Sequence, residues 1–241
     1  MSMSLSKGFQ PLYKQVYDLL TERLVNGYWK ASEPLPSEMA LADELGVSQG
    51  TVRKALNQMV AENLLQRRQG KGTYVAEHTN EGSLFRFFRW RQPQGDSLIP
   101  ETEIIQSSRR RASEDECIKL NLGDNNSVVE LHRRRSLLGE TVIFEKVIQP
   151  LAVFPDIDQV KDIPNALYKL YQEKYGITIV SVRDELKAIA ADKECAVNLD
   201  LLEGTPILMV ERKSVSIDGR VVEYSQAFCH SDHFVYAVEI K

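Results

Sequence analysis

Residues Leu35–Val75 read LPSEMALADELGVSQGTVRKALNQMVAENLLQRRQGKGTYV, and this stretch decides the fold of the N-terminal part. Pro34 and Pro36 punctuate its start, and Ser37 is placed to cap a short helix carrying Met39, Leu41, Ala42 and Leu45. Gly46 ends that helix, and only Val47 separates it from Ser48, a second N-cap. Two helices joined by so tight a turn must cross steeply, which is a helix-turn-helix. In the second helix, about 48–63, Val52, Leu56, Met59 and Val60 share one side. Gly50, Arg53, Lys54 and Asn57 share another, at the spacing of neighbours on a helix surface. Such a basic and amide face suits entry into a DNA major groove, or is simply a solvated surface. The strand candidates 64–68 and 73–75 flank Gln69-Gly70-Lys71-Gly72, a glycine-rich hairpin with Arg67, Arg68 and Lys71 around its tip. A wing of this kind brings backbone and cations to phosphates. Upstream, Leu12, Val16, Leu19, Leu20 and Leu24 form one face of a first helix that Gly27 stops.

The chain has 241 residues and a net charge of −4, with 43% hydrophobic and 27% charged residues. That is enough apolar content for a packed core and excludes disorder over most of the length. The charge is uneven. Residues 1–76 hold nine basic and seven acidic side chains, and residues 45–73 hold five basic and one acidic. The polar run EHTNEGS, 77–83, reads as a linker to a second, acidic domain spanning 84–241. No apolar run approaches the ~20 residues that cross a bilayer, and the first ten residues lack a signal-peptide core, so a cytoplasmic location without membrane contact is expected. Three scattered cysteines, Cys117, Cys195 and Cys229, support neither disulfides nor a zinc site, and no cofactor is expected.

The runs PLYKQVYDLL (11–20) and LPSEMALADELGVSQGTVRKALNQMVAENLLQRRQGKGTYV (35–75) resemble the winged helix-turn-helix domain of GntR-type bacterial transcription regulators. The residue pattern and the resemblance together give an expected DNA-binding set of Ser37, Ser48, Gln49, Gly50, Thr51, Arg53, Lys54, Arg67, Arg68, Gly70 and Lys71, of which Ser48, Thr51, Arg53 and Gly70 match the family pattern. Two positions depart from it: Met39 and Gln49 stand where many members have arginines that help to read guanine. Gln49 retains the ability to pair with adenine.

Beyond the linker, strand candidates are 103–109, 128–138, 141–149, 177–189, 206–217 and 221–229, with helices at 113–122, 165–175 and 192–198. Ser113 with Glu116 fits a capping box. Asp218-Gly219 and Gly139-Glu140 are hairpin turns. An antiparallel sheet with helices on one face is expected, giving an α+β two-domain protein. Along 128–138, Val129, Leu131, Arg133, Arg135 and Leu137 share the more apolar face. Buried arginines need an anionic partner, and Glu145 on the next strand supplies one negative charge against two positives. Either an internal network or an anionic ligand completes the balance.

The segments RRRSLLGETVIFEKVIQP (133–150), ALYKLY (166–171) and VVEYSQAFCHSDHF (221–234) resemble the UTRA effector-binding domain of the HutC branch. That resemblance implies an effector pocket lined by Arg133, Arg135, Glu145, Tyr168 and Glu223, with Arg86 in the place of a pocket-closing loop. Ala166 and Cys229 fall where some phosphosugar-binding members carry hydroxyls. The domain also resembles chorismate lyase, which opens an enzymatic alternative; an effectorless DNA-binding protein is another. The basic 45–73 segment argues against the first and the inward arginines against the second. The expected protein is a homodimeric repressor that binds a palindromic double-stranded operator and responds to a small anionic metabolite.

Overall fold

The computed structural model describes residues 10–79, 82–83, 87–95, 98–123 and 126–238; the expected pocket residue Arg86 lies outside them. The N-terminal head consists of α1 (Leu12–Val25), α2 (Glu38–Leu45) and α3 (Gln49–Ala61), then β1 (Leu65–Arg68) and β2 (Gly72–Val75). The caps are those the sequence calls for. Ser37 Oγ accepts from the Ala40 amide at 3.1 Å and Ser48 Oγ from the Thr51 amide at 3.2 Å. Gly46 closes α2 in the left-handed conformation, φ 65°, which a glycine enters without steric cost. Val16, Leu20, Leu41, Val52, Leu56 and Met59 meet in a fully buried core. Each such side chain contributes about 1.5–3 kcal/mol of transfer free energy. At the wing tip Gly70 and Gly72 sit at φ 71° and 115°. The hairpin itself therefore requires them, independently of any approach to DNA.

The C-terminal domain is a six-stranded antiparallel sheet in the order β4-β5-β6-β9-β8-β7. Its strands are β4 (Glu101–Arg111), β5 (Ser127–Leu137), β6 (Glu140–Pro150), β7 (Ile179–Ala190), β8 (Pro206–Ser216) and β9 (Val221–Cys229). The helices are α4 (Glu114–Leu120), α5 (Leu167–Tyr175) and α6 (Lys193–Leu199). They lie on both faces of the sheet, not on one. Val129, Leu131 and Val147 point to α5, packing with Tyr168 and Tyr171. On the opposite face Phe144 and Phe228 pack against Cys195 and Leu199 of α6, and Val128 and Ile148 against Leu120 of α4. The reason is visible in β6, where Ile143 and Val147 serve one face, Phe144 and Ile148 the other, and all four are buried. The β5–β6 turn also falls one residue earlier than expected. Leu138 and Gly139, at φ 52° and 82°, occupy it, and Glu140 already belongs to β6. A short pair, β3 (Trp90–Arg91) with β10 (Val235–Tyr236), joins the two ends of the domain.

The linker is docked where it is described. The Gln172 amide of α5 accepts from the His78 backbone N–H at 2.7 Å and donates to the Ala76 carbonyl at 3.0 Å. His78 and Ser83 are buried. Val180 and Ile217 of the C-terminal domain pack against the head core.

Candidate functional site

Two clusters concentrate the side chains singled out in the sequence. The first is on the head. Gln49, Gly50 and Arg53 open α3 and are exposed, as are Arg67 and Arg68 of β1 and Gly70 and Lys71 of the wing tip. Glu38, the first residue of α2, gathers three of them. Its carboxylate accepts from Arg53 Nε at 2.8 Å, Arg67 Nη2 at 3.1 Å and Gln49 Nε2 at 3.4 Å. Lys54 turns toward α1, its Nζ 3.9 Å from the centre of the Tyr13 ring. Arg68 stacks 4.2 Å from the Tyr74 ring. Thr51 Oγ1 lies 2.9 Å from Ser48 Oγ, fixing both hydroxyls at the N-terminus of α3.

The second cluster is buried beneath α5. Pairing places Arg133 opposite Glu145, and Arg212 of β8 opposite Ser225 of β9, so several strands send polar groups to one face. Arg133 donates to Glu145 Oε2 through Nη2 at 2.5 Å and Nε at 3.1 Å. Arg135 reaches the same oxygen only at 3.8 Å. Its Nη2 donates weakly to Asn165 Oδ1 at 3.3 Å, and its Nε is buried without a hydrogen-bond partner. Burial pushes the Arg135 guanidinium down to about 10, Glu145 opposing and Arg133 and Arg212 adding repulsion. Burial alone would raise the Glu145 carboxyl, yet Arg133 and Arg135 hold it below the usual range. Arg212 is neutralised separately by a fork on Asp184, at 2.7 and 2.6 Å.

Tyr168 and Glu223 complete this site. The Tyr168 hydroxyl lies 2.8 Å from Ser214 Oγ, which donates to Glu223 Oε1 at 2.7 Å. Tyr171 donates to the other Glu223 oxygen. Burial raises the Glu223 carboxyl despite these bonds. Arg133, Arg135, Glu145, Tyr168, Arg212 and Glu223 line a cavity of about 50 Å³ together with Asn165, Ser83, Phe87 and Phe88. A cavity of this size admits a few waters. The Phe88 ring covers Arg135, its centre 4.8 Å from the guanidinium carbon. A second space of about 30 Å³ lies beyond, also lined by Phe88, Arg135, Glu145 and Arg212.

Sequence reasoning missed Arg212, Asn165 and Ser214 here, and Glu38 on the head. Arg212 and Ser214 alternate with the buried Val210 along β8, the same period-two signal that exposed Arg133 and Arg135. Asn165 precedes α5 in an irregular stretch and carries no such signal. Near the C-terminus, Cys229 is buried and His230 lies 3.3 Å from Asp232. Among the described residues no group of three or more His, Cys, Asp or Glu is arranged to hold a metal.

Residues 96–235 match the model of the UTRA domain, and residues 12–75 that of the gntR family of bacterial regulatory proteins. The chain belongs to the UTRA-domain family of GntR-type transcription regulators. Among its relatives is the mannosyl-D-glycerate transport/metabolism system repressor MngR of Escherichia coli, 29% identical over 96% of both chains. Another is the transcriptional repressor NagR of Bacillus subtilis, 25% identical over 94% of this chain and 93% of that one. The fold of this GntR-type regulator is shared with PhnF from Mycobacterium smegmatis, at a TM-score of 0.56 and 22% identity over 94% of this chain and 99% of that one. The protein is thus a ligand-responsive, DNA-binding transcription regulator, in a family of regulators and not of enzymes.

Proposed function

We propose that the protein is a cytoplasmic homodimeric repressor that leaves a palindromic operator when a small anionic metabolite enters the pocket beneath α5. Residues 1–76 serve as the DNA-binding head, 77–83 as the linker and 84–241 as the effector and dimerisation domain. In the head, Gln49 and Arg53 reach base edges. Arg67, Arg68, Lys71, Lys54 and the hydroxyls of Ser37, Ser48 and Thr51 serve the phosphates, with Gly70 allowing close approach of the wing. One winged helix offers few base contacts, so two half-sites are needed for useful affinity.

The observation that carries the effector assignment is Arg135. It is a buried cation lining the cavity, with one distant counter-ion and an Nε that has no hydrogen-bond partner. A buried charge in this state is costly unless an anion satisfies it, and the guanidinium fork suits carboxylate or phosphate. The E. coli relative named above serves a system for mannosyl-D-glycerate, a sugar bearing a carboxylate. Tyr168 and Glu223, which also line the cavity, suit hydroxyl groups of such a ligand. Because the cavity is small, entry displaces the Phe87–Phe88 cover. Transmission then has a short route, since Tyr168 and the linker clamp Gln172 stand one turn apart on α5. The effector must bind the released arrangement more tightly than the operator-bound one.

The test is thermal melting against a panel of sugar phosphates, sugar acids and their uncharged parents. An anionic ligand present at ~100 times its Kd raises stability by about 2.7 kcal/mol. Stabilisation by uncharged parents alone refutes the anion site.

A further inference from the structure

Glu38 is out of place on a surface that must approach phosphates, because a carboxylate there repels them. It is also the group to which the α3 face is tied. Its side chain is one-fifth exposed, whereas Arg53 and Arg67 are about half exposed. One carboxylate oxygen serves Arg53 Nε and Gln49 Nε2, and the other serves Arg67 Nη2. From this geometry we infer that Glu38 is a positioning residue for base specificity: it acts through Arg53 and Gln49 and touches no DNA itself.

The donors left free on Arg53 and Gln49 match what base edges require. Guanine is read by two parallel donors to O6 and N7. With Nε committed to Glu38, Arg53 presents its two terminal nitrogens, which have no partner among the described residues. Adenine is read by one acceptor and one donor in the plane of an amide. With one N–H directed at Glu38, Gln49 keeps its oxygen and its second N–H for that edge. Free arginine and glutamine side chains on a helix surface sample many rotamers and must be ordered on binding, at a cost in conformational entropy. A preformed network reduces that cost for the one geometry that fits. The exposed Met39, 65% accessible, follows Glu38 directly and offers an apolar contact of the kind that meets a thymine methyl.

This inference depends on the DNA-binding reading above, and the two can fail separately. The full-length protein is used to select binding sites from a random duplex library. The affinities of wild type, Glu38→Ala, Glu38→Gln and Arg53→Ala are then measured on the selected site and on random duplex at one salt concentration. If Glu38 were only a misplaced charge, removing it would tighten binding to both DNAs alike. A positioning role predicts opposite signs. Random-duplex affinity holds or tightens, selected-site affinity falls, and the ratio of the two drops at least tenfold. In the Arg53→Ala background, adding Glu38→Ala should change the ratio by less than threefold. A ratio unchanged by Glu38→Ala, or lowered equally with and without Arg53, overturns the inference while leaving DNA binding intact. A wild-type protein that enriches no sequence overturns the DNA-binding reading and the inference with it.

Discussion

Among the described residues, two arginines converge on one glutamate twice. On the head, Arg53 and Arg67 meet Glu38 in the open; beneath α5, Arg133 and Arg135 meet Glu145 with every partner at least 88% buried by side chain. The composition is the same and the physics is not. In water an ion pair is worth about 0–1 kcal/mol and is readily exchanged, so the head cluster orders its side chains yet can surrender them to bases and phosphates. Buried, the same charges cannot be rehydrated, and any imbalance is a standing cost that an anionic ligand would relieve. The exposed cluster is suited to reading a long polyanion, the buried one to holding a single small anion.

The widest separation between the clusters should come from deleting the glutamates. Glu145→Ala strands Arg133 and Arg135 without a counter-ion and should destabilise the C-terminal domain by about 3–5 kcal/mol. Glu38→Ala should cost the head less than about 1 kcal/mol. Urea unfolding of both variants checks the pair, and similar losses would mean that burial does not distinguish the clusters.

Next in size is the difference between the two buried arginines. Arg133 holds Glu145 closely, so Arg133→Met should cost roughly 3 kcal/mol. Arg135 is the surplus charge, so Arg135→Met should leave the melting temperature unchanged or raise it. Its effect should appear instead as a loss of more than about tenfold in effector affinity, or ~1.4 kcal/mol. Calorimetric titration of the two variants separates these roles.

The smallest effect is in acid. The folded-state carboxyl of Glu145 lies below its ordinary value of 4.5, so its stabilisation is complete above that value. It is lost as pH falls through the lower folded value. Glu223 has the opposite sign. Its carboxyl is raised, so stability declines as pH rises from 4.5 through the folded value. Glu223→Gln should therefore flatten the pH profile above 4.5 and Glu145→Gln the profile below it, both read from melting temperature between pH 3 and 8.

Much of this was legible in the sequence because it is local. Ser37, Ser48 and Gly46 punctuate α2 and α3 within a few residues of the backbone groups they satisfy. Arg133 and Arg135 betray their burial through period-two alternation with Val129, Leu131 and Leu137. What escaped is non-local. Glu38 reaches Arg67, 29 positions away, and a window of 45–73 excludes it from the charge balance it controls. The polar composition of 77–83 reads as a tether, whereas its docking depends on Gln172, 94 positions beyond His78. Helices on both faces follow from β6 being buried on both sides, which the alternating pattern of β5 alone conceals. The Arg212–Asp184 fork joins two strands whose pairing is set by register, and register is a property of the assembled sheet.

The anion pocket is tested most directly by titrating an operator complex with the anion panel and following DNA release by fluorescence anisotropy, with wild type and Arg135→Met side by side. An anionic compound should release the wild-type protein while its uncharged parent does not. The same compound should require more than about ten times the concentration to release Arg135→Met, whose operator affinity is unaltered. Release of Arg135→Met at the wild-type concentration would remove Arg135 from the effector site.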